Sequence, residues 1–382
     1  MRPQAPMLCV VGARPNYMKM APLLRAFRSR RDLPPALLVH TGQHYDFDLS
    51  DRLFVDLDLP APEVNLEVGS ASHAVQTAEV MKRFEPVIDR YQPSFVVVVG
   101  DVNSTLACSL VAAKKSVPVA HVEAGLRSYD RSMPEEVNRV LTDQLATLLY
   151  TTERTAHRNL TREGIPEDRV HFVGNLMIDS LLAALPKSIA AAEVLQRAGL
   201  DAGWALRPSG YAAVTLHRPS NVDDHQTLSR IVDIVCEVAE RMPVIWPMHP
   251  RTRNNLERFG LNARLEGKPI AALPPQGYLE MVGVLRTASL VLTDSGGVQE
   301  ETTALGVPCL TMRANTERPI TVEQGTNTLV GSDRECVLAA VDEVLRTGGK
   351  RGRVPEYWDG KAAPRIAEHM AHALSWPETA SQ

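Results

Sequence analysis

Several features that mark particular classes of protein are missing from this sequence of 382 residues. No apolar run is long enough to cross a membrane. The formal net charge of −4 comes without a long run of like charges, which argues against nucleic-acid binding and against a polybasic membrane patch. The five cysteines are scattered, with no spacing typical of a zinc site or a disulfide framework. We therefore expect a cytoplasmic protein with buried, reduced thiols and with no membrane or nucleic-acid partner.

Familiar cofactor motifs are also missing. The loop at Gly12-Ala13-Arg14-Pro15 lacks the second and third glycines of a dinucleotide fingerprint, and no Gly-Lys-Ser/Thr of a Walker loop occurs. Nicotinamide cofactors and ATP therefore have no support in the sequence. A nucleophile elbow, a Cys–His pair and a metal-ligand cluster are absent too, so we expect no cofactor and no metal.

Short apolar runs that alternate with helical patterns make up most of the chain. Runs such as Phe95–Val99 and Leu290–Thr293 are apolar almost throughout, as in parallel strands that helices cover on both faces. The pattern restarts near Tyr211, which predicts an α/β fold of two doubly wound, Rossmann-like domains facing a cleft. We expect an N-terminal domain over 1–177, a hinge over 178–210 and a C-terminal domain over 211–360. A helix within 361–382 is expected to pack back on one of the two domains, for example on the N-terminal one.

The turn Asp294-Ser295-Gly296-Gly297 follows an apolar run and opens a predicted helix. The first N–H groups of a helix have no partner within it and its dipole adds positive charge, so this turn predicts an anion site. Two glycines let a diphosphate approach the backbone, and Glu301, one turn later, can accept hydrogen bonds from a ribose. The alternative is a tight turn capped by Asp294 or Ser295.

Polar residues stand just past most of the predicted strands. In doubly wound sheets, ligands bind outside the carboxyl ends of the strands, so we expect these residues to line a binding site. They are Gly12, Ala13, Arg14, Asp101, Glu123, His217, His249 and Ser295.

Several of these loops carry cations. Arg14 can form a forked pair with phosphate oxygens, and Lys19 follows about one helical turn later. His217 suits a phosphate partner or a proton shuttle, and His249 resembles it less specifically. Arg318 follows another strand and can neutralise a diphosphate. The alternative for each is an exposed side chain of a surface loop.

Three carboxylates are candidates for proton transfer. Asp101, Glu123 and Glu135 are all expected at one rim, where clustered carboxylates raise one another's pKa so that one serves as acid and another as base. The alternatives are local: Asp101 caps the helix that starts near Asn103, and Glu135 completes a capping box with Ser132. A Glu123 carboxylate at the end of a buried strand is costly unless it is paired or functional.

Taken together, the motifs resemble the non-hydrolysing UDP-N-acetylglucosamine 2-epimerases over nearly the whole chain. The resemblance implies a glycosyltransferase-B-like architecture with UDP held mainly by the second domain. It also implies inversion at C2 of the sugar by elimination of UDP to a 2-acetamidoglucal and re-addition on the other face, without metal or redox cofactor, in a homodimer. The motifs are Gly12–Pro15, Lys19–Pro22, His121–Arg127, Pro134–Arg139, Asp294–Glu301 and Thr316–Pro319.

Carried over to this chain, the resemblance makes Asp101, Glu123 and Glu135 the catalytic acids and bases. It places His217 at the phosphate side of the site, Gln276 in the uracil-binding segment, and Met281 where the family often has an aromatic residue. The nucleotide contacts implied are Arg14, Lys19, Gln276, Met281, Ser295, Gly296, Gly297, Glu301 and Arg318.

Three segments of the sequence differ from the best-known members of the family. Asn16 replaces a glutamate in the first loop, and Pro219-Ser220 replaces Arg-Glu after His217. Gln43-His44-Tyr45-Asp46 replaces a Gln-His-Arg sequence in a region that binds a second, activating UDP-N-acetylglucosamine in some bacterial members. Gln43, His44 and His249 are the candidates for such a site, and the departure weighs against it.

Other functions remain open on the sequence. The departures leave room for a related substrate, such as a UDP-2,3-diacetamido uronic acid. A hydrolysing epimerase that releases UDP and free N-acetylmannosamine, or a glycosyltransferase, would share the architecture. A nucleotide-sugar-binding protein without catalysis is disfavoured, because binding alone has no use for three carboxylates near a diphosphate.

Overall fold

The chain forms two compact units in a computed structural model that describes residues 5–42, 47–203 and 210–375. The first unit comprises residues up to Ser180 together with those from Glu356 onward, and the second comprises Leu181–Pro355. The segment 178–210, expected as a hinge, contains helical turns whose apolar residues Ile178 and Leu181 are fully buried. Ile178 belongs to the first unit and Leu181 to the second, so the two units meet in sequence within this helical segment.

A seven-stranded parallel sheet forms the centre of the first unit. The strand order is β3-β2-β1-β4-β5-β6-β7. The chain begins at β1 in the middle of the sheet, proceeds to one edge, returns to the middle at β4 and proceeds to the other edge, as in a Rossmann fold. The strands are β1 (Met7–Val11), β2 (Ala36–His40), β3 (Val64–Asn65), β4 (Phe95–Val99), β5 (Val119–Ala124), β6 (Leu148–Thr151) and β7 (Val170–Phe172).

The second unit contains a six-stranded parallel sheet of the same winding. Its order is β10-β9-β8-β11-β12-β13. The strands are β8 (Ala212–Thr215), β9 (Val244–Pro247), β10 (Ile270–Leu273), β11 (Leu290–Thr293), β12 (Cys309–Thr311) and β13 (Asn327–Leu329). The expected α/β fold with two doubly wound sheets is therefore confirmed.

Helices connect the strands. They are α1 (Arg14–Arg28), α2 (Phe47–Asp56), α3 (His73–Tyr91), α4 (Asn103–Lys114), α5 (Pro134–Leu145), α6 (Arg154–Arg162), α7 (Leu176–Ala184), α8 (Ala191–Arg197), α9 (Pro219–Val222), α10 (His225–Arg241), α11 (Pro250–Arg258), α12 (Tyr278–Arg286), α13 (Gly296–Leu305), α14 (Pro319–Glu323), α15 (Arg334–Thr347) and α16 (Ala362–Ser375). Among the residues that the structure describes, no helix combines the length and the apolar character needed to span a bilayer.

Burial explains why the central strands were easy to predict. All five residues of β4 and all four of β11 are buried, so both faces of these strands select apolar side chains. Helix α1 begins at Arg14, because Pro15 fits the first turn of a helix, where its missing N–H needs no partner.

Helix α16 belongs to the first unit and packs against α1. Its first N–H groups are satisfied by Asp179, whose carboxylate accepts from Ala362 N at 3.1 Å and from Ala363 N at 2.8 Å. Further along, His369 Nδ1 lies 3.0 Å from the Tyr150 hydroxyl. These contacts bind the last described helix to residues from the first half of the chain.

Four of the five cysteines are buried, as expected, but Cys336 is exposed. The expectation of a buried thiol is wrong there because Cys336 lies in the first turn of α15. Its backbone N–H donates to the capping Asp333 at 2.9 Å, and its side chain lies on the outer face of that helix.

Two stacked histidines make the first unit sensitive to acid. Burial and the nearby His369 lower the pKa of His171 to about 4, and the two ring centroids are 3.6 Å apart. An unfolded histidine titrates near 6.5, so the unfolded chain binds more protons between these values, and stability falls as the pH drops from 7 to 5. After allowance for solvent around the half-buried ring, we expect a loss of about 1 kcal/mol. Denaturant unfolding at both pH values should show a smaller difference for His171→Phe, and an equal difference would contradict this.

Candidate functional site

Asn16 joins the first loop to the neighbouring strand. Its Oδ1 accepts hydrogen bonds from Gly12 N at 3.0 Å and Ala13 N at 3.1 Å, while its Nδ2 donates to Val99 O at 2.9 Å. An amide can accept at one atom and donate at the other, whereas a carboxylate can only accept. The asparagine found here in place of the family's glutamate therefore ties the β1–α1 turn to the end of β4.

Lys19 and Glu123 form a buried ion pair. Lys19 Nζ lies 2.7 Å from Glu123 Oε2, and the two residues are 5% and 6% exposed. The backbone of Gly100 passes close to the pair in a left-handed conformation with φ +68°, and a Cβ there would lie 3.2 Å from Lys19 Nζ. Glycine at this position therefore leaves room for the lysine to reach the carboxylate.

The backbone of Glu123 is strained. Its φ of +71° is left-handed, and the pairing of β5 with β6 shifts register between Val122 and Ala124. A bulge of this kind turns a side chain away from its ordinary direction, here towards Lys19. A non-glycine residue in this region costs roughly 1–2 kcal/mol, and such strain concentrates at functional sites.

Asp101 follows β4 and pairs with Arg139. Arg139 Nη2 donates to Asp101 Oδ2 at 2.6 Å, and Asn138 Nδ2 donates to the Asp101 carbonyl at 2.9 Å. The residue that caps α4 is Val102, without a side-chain hydrogen bond. One oxygen of the Asp101 carboxylate is directed to α5.

The alternative in which Glu135 forms a capping box with Ser132 is wrong. Helix α5 starts at Pro134 with Met133 as its cap, and the Ser132 hydroxyl donates to Asp130 rather than capping the helix. Glu136 is the residue that turns inward, where it accepts two backbone N–H groups of the preceding loop at 2.9 Å. Glu135 stays half-buried in the first turn of α5, so it remains available for chemistry.

In the second unit, Asp294 fixes the loop that carries His217. The buried carboxylate accepts from Arg218 N at 2.9 Å and Asn221 Nδ2 at 3.0 Å, and it lies 3.0 Å from His217 Nδ1. Burial opposes its ionisation, but these donors, led by His217, hold the pKa of Asp294 below its usual value. Ser295 occupies the cap position of α13, as one alternative expected, but it makes no side-chain hydrogen bond to the helix, and the Asp294 carboxylate accepts from Arg218 and Asn221.

Guanidinium groups surround the carboxylate of Glu317, which lies beside Gly296 at the start of α13. Arg313 Nη2 donates to Glu317 Oε2 at 2.7 Å, and Arg218 Nη2 to Oε1 at 3.2 Å. Burial opposes ionisation of Glu317, yet Arg318, Arg313 and Arg218 hold its pKa well below the usual range. A Cβ added to Gly296 would lie 2.8 Å from Glu317 Oε1. Arg318 is paired with Glu300 at 2.8 Å, so a second carboxylate near this helix end also faces a guanidinium group, and the first N–H groups of α13 remain the positive end of the helix dipole.

Glu301 lies one turn further along α13. It is buried, and this burial raises its pKa to about 8, although contact with the Tyr278 hydroxyl opposes the shift. Gln276 precedes α12 and donates to Pro274 O at 2.8 Å, and Met281 is half-buried on α12. All of these residues belong to the second unit.

The candidates for an activating site are only partly described. His249 is exposed and caps α11, accepting from Arg251 N at 3.1 Å, and its ring centroid lies 5.3 Å from that of His217. Gln43 and His44 lie outside the described residues. In the first unit, Arg14 is half-buried at the start of α1.

Sequence reasoning missed Arg139 and Glu317, each of which organises a group of charges. A signal for Arg139 existed, because it follows Glu136 by three residues on the predicted helix, a spacing typical of ion pairs. Glu317 stands beside Arg318 in the sequence, but its pairing with Arg218 depends on the fold.

The first unit thus carries ion-paired carboxylates at the ends of adjacent strands. The second unit carries a helix N-terminus, which is the positive end of the helix dipole, and the buried carboxyl group of Glu301 one turn further along. Charged groups at the carboxyl ends of parallel strands and at a helix N-terminus are typical of an α/β protein that binds an anionic ligand. The family model described as UDP-N-acetylglucosamine 2-epimerase matches residues 27–371, and the chain belongs to that family. The expected family is confirmed, and the enzyme is an isomerase.

Individual relatives agree with the family model. A UDP-N-acetylglucosamine 2-epimerase of Methanocaldococcus jannaschii is 41% identical over 367 residues, covering 95% of this chain and 98% of the relative. A UDP-2,3-diacetamido-2,3-dideoxy-D-glucuronate 2-epimerase of Pseudomonas aeruginosa is 39% identical over 368 residues, covering 95% and 99%. The crystal structure of the M. jannaschii UDP-GlcNAc 2-epimerase in complex with UDP-GlcNAc and UDP matches with a TM-score of 0.85 at 39% identity, covering 96% of this chain and 99% of that one.

Proposed function

We propose that the enzyme interconverts UDP-N-acetylglucosamine and UDP-N-acetylmannosamine by eliminating UDP to a 2-acetamidoglucal and adding UDP back at C1 while C2 takes up a proton on the opposite face. The observation that carries this proposal is the pair of carboxylates at the ends of adjacent strands β4 and β5. Asp101 is paired with Arg139, and Glu123 is paired with Lys19. The family and the substrates named for its members support the same reaction.

The chemistry of the substrate explains the need for two kinds of group. C2 of the sugar has no adjacent carbonyl to acidify its proton. Departure of UDP, with positive charge developing at C1, makes removal of that proton feasible, provided that cations and N–H dipoles stabilise the leaving diphosphate. Inversion then requires a proton donor on the opposite face of the ring.

We assign the proton transfers to the carboxylates of the first unit. Asp101, Glu123 and Glu135 supply the base that removes the C2 proton and the acid that returns one to the other face. The partners Lys19 and Arg139 hold two of these groups in fixed directions. Preset geometry of this kind lowers the barrier without reorganisation during the reaction.

We assign the nucleotide to the second unit, with Arg14 and Lys19 of the first unit as further phosphate contacts. We assign the N–H groups of Gly296 and Gly297 to the diphosphate, together with the hydroxyl of Ser295, whose own N–H donates to Thr293 Oγ1 at 3.0 Å, and we assign His217 to a phosphate oxygen. The other assignments are Arg318 for the diphosphate, Glu301 for the ribose, and Gln276 with Met281 for the uracil.

Incubation with UDP-N-acetylglucosamine in heavy water tests the reaction. NMR should show deuterium at C2 and a new manno nucleotide, without net release of UDP. Stoichiometric UDP with free N-acetylmannosamine would instead demonstrate hydrolysis. If neither exchange nor product forms with this substrate, while the 2,3-diacetamido glucuronate nucleotide reacts, the proposed substrate is wrong and the specificity is that named for the Pseudomonas aeruginosa relative.

Substrate affinity is expected to depend on pH through Glu301. Burial raises the pKa of this carboxyl to about 8, so it is mostly protonated at a pH of about 6. Ribose hydroxyls that donate to the carboxylate favour its ionised form, so binding releases a proton. The affinity for UDP-N-acetylglucosamine should therefore rise roughly fiftyfold from about pH 6 to pH 8 and level off above about pH 9. Calorimetric titration tests this, with Glu301→Gln as the control, which should show a flat profile.

The changes around Gln43 and His44 predict that no activator is needed. His249, the third candidate, caps α11, which gives it a structural role. We expect UDP-N-acetylmannosamine to be consumed at once when supplied alone, without added UDP-N-acetylglucosamine. A lag that small amounts of the gluco nucleotide remove would contradict this, as followed by NMR.

We also propose that the enzyme acts in the cytoplasm as a homodimer, as the family resemblance implies. The formal charge of −4 without a basic run supports a freely diffusing protein. Light scattering coupled to size exclusion tests the oligomeric state: a mass near 84 kDa, about twice the 41.9 kDa chain, is expected, and a mass of one chain would contradict the dimer.

A further inference from the structure

A fully buried charge cluster lies beneath the ends of β4 and β5 and takes no part in the reaction proposed above. His121 and Asp143 are both 0% exposed. His121 Nδ1 is 2.6 Å from Asp143 Oδ1, and His121 Nε2 is 2.8 Å from the carbonyl oxygen of Gly100. The imidazole thus bridges helix α5 and the residue that follows β4.

The second oxygen of Asp143 extends the cluster. Asp143 Oδ2 accepts from Gly125 N at 3.1 Å and from Arg127 Nη2 at 2.7 Å. Arg127 in turn donates to both oxygens of Glu163, at 2.8 Å and 2.6 Å. Each charge therefore faces an opposite one, as a buried charge must.

The arrangement fixes where the protons are. A carbonyl oxygen can only accept, so His121 Nε2 carries a hydrogen and donates to Gly100. Asp143 accepts two donors at Oδ2, as a carboxylate does, and at Oδ1 it faces Nδ1 of the ring. Both ring nitrogens of His121 therefore have a partner, Nε2 at the Gly100 carbonyl and Nδ1 at Asp143.

The two backbone groups held by this pair flank the proposed catalytic carboxylates. Gly100 directly precedes Asp101, and Gly125 follows Glu123 by two residues. The φ values of Gly100, Glu123 and Gly125 are +68°, +71° and +79°. Residues with left-handed backbone conformations depart from regular strand pairing. Their backbone groups therefore need hydrogen bonds from side chains in place of the bonds to a neighbouring strand that normally hold the backbone.

We propose that His121 and Asp143 are positioning residues: the pair anchors the Gly100 carbonyl and the Gly125 amide, and thereby sets the direction of Asp101 and Glu123. The inference rests on the proposed function, because it assumes that these two carboxylates transfer protons. A displacement of about 1 Å at a catalytic group lowers the rate by about a hundredfold, so a local anchor has a large effect on turnover.

Two substitutions at one position separate the two contacts of the imidazole. In His121→Gln the side-chain amide nitrogen reaches the place of Nε2 and can still donate to Gly100. In His121→Asn it takes the place of Nδ1 and can still donate to Asp143, but the Gly100 carbonyl is lost. Both variants are polar and smaller or more flexible than histidine, so their general structural penalties are matched.

We expect kcat for epimerisation to fall about thirtyfold in His121→Asn and less than about fivefold in His121→Gln, with KM within about threefold of wild type in both. UDP binding, which belongs to the second unit, should be unchanged. Asp143→Asn provides a second variant that preserves the hydrogen bonds with a neutral imidazole, and it should retain turnover within about fivefold. Equal losses in the two His121 variants, or a normal kcat in His121→Asn, would overturn the proposal.

Backbone hydrogen exchange gives a readout that does not depend on activity. The segments around Gly100 and Gly125 should exchange faster in His121→Asn than in His121→Gln, while the second unit stays unchanged. If wild type itself does not exchange the C2 proton, the proposed function fails, yet the anchoring is still tested by these amides. If His121→Asn does not fold, the comparison of wild type with Asp143→Asn and His121→Gln carries the test, and a thirtyfold loss of kcat in both contradicts it.

Discussion

Replacing Asp101 with asparagine is expected to lower proton exchange at C2 at least a thousandfold while UDP still binds. The amide has the size of the carboxylate and can keep a hydrogen bond in the place of the 2.6 Å contact with Arg139, but it cannot accept a proton. Loss of a general acid or base costs about 10²–10⁴ in rate. The nucleotide contacts assigned to the second unit remain in place. NMR exchange in heavy water and calorimetric titration with UDP measure the two effects separately.

Asp130→Asn is the matched control for this change. Its carboxylate accepts the Ser132 hydroxyl in the loop before α5, and no role in proton transfer is assigned to it. This variant should exchange the C2 proton at the wild-type rate. Asp101 would leave the mechanism if D101N kept more than a tenth of wild-type exchange, and its effect would be structural if UDP binding fell with it.

Replacing Gly296 with alanine should weaken UDP binding about a hundredfold. The added Cβ would lie 2.8 Å from Glu317 Oε1, and that carboxylate cannot easily retreat because Arg313 holds it at 2.7 Å. The methyl group also covers the first N–H groups of α13. An overlap of this kind costs about 1–3 kcal/mol, and each 1.4 kcal/mol is a factor of ten in affinity.

Gly306→Ala, at the other end of α13, separates binding from stability. Its φ is +73°, so alanine there is strained and should lower stability by about 1 kcal/mol, but its Cβ meets no atom within 4 Å. UDP affinity should remain at the wild-type value. Calorimetry that finds G296A within threefold of wild type would show that α13 does not bind the diphosphate through its N-terminus.

The fold was predictable because most strands are short apolar runs buried on both faces. The strands that were not predicted, β3, β10 and β13, all lie at a sheet edge: β3 has two residues, Val64 and Asn65, and β13 is Asn327-Thr328-Leu329, which is mostly polar. Edge strands such as these are recognised by pairing with a neighbour rather than by their own composition. Neither β3 nor β13 could be distinguished from a loop by periodicity.

The candidate site was predictable only in part. The position of Asp101 and Glu123 past buried strands follows from the sequence, since ligands of doubly wound sheets collect at that edge. Their partners do not follow. Glu123 reaches Lys19 through a bulge with φ +71°, and the bond from Arg139 to Asp101 joins residues 38 apart in the chain. Neither a backbone irregularity nor a contact between residues distant in the chain can be predicted from a local sequence pattern.

The first unit is built from two separate stretches of the chain, and this affects the order of events during synthesis. Residues 181–355 form the second unit as one continuous segment, which can fold while the ribosome is still adding the last residues of the chain. The first unit must wait for α16, because Asp179 and Tyr150 find their partners only in that last helix. Until then the residues that α16 covers stay exposed, so synthesis passes through a stage at which all seven strands of the first sheet exist but the unit that they form is incomplete.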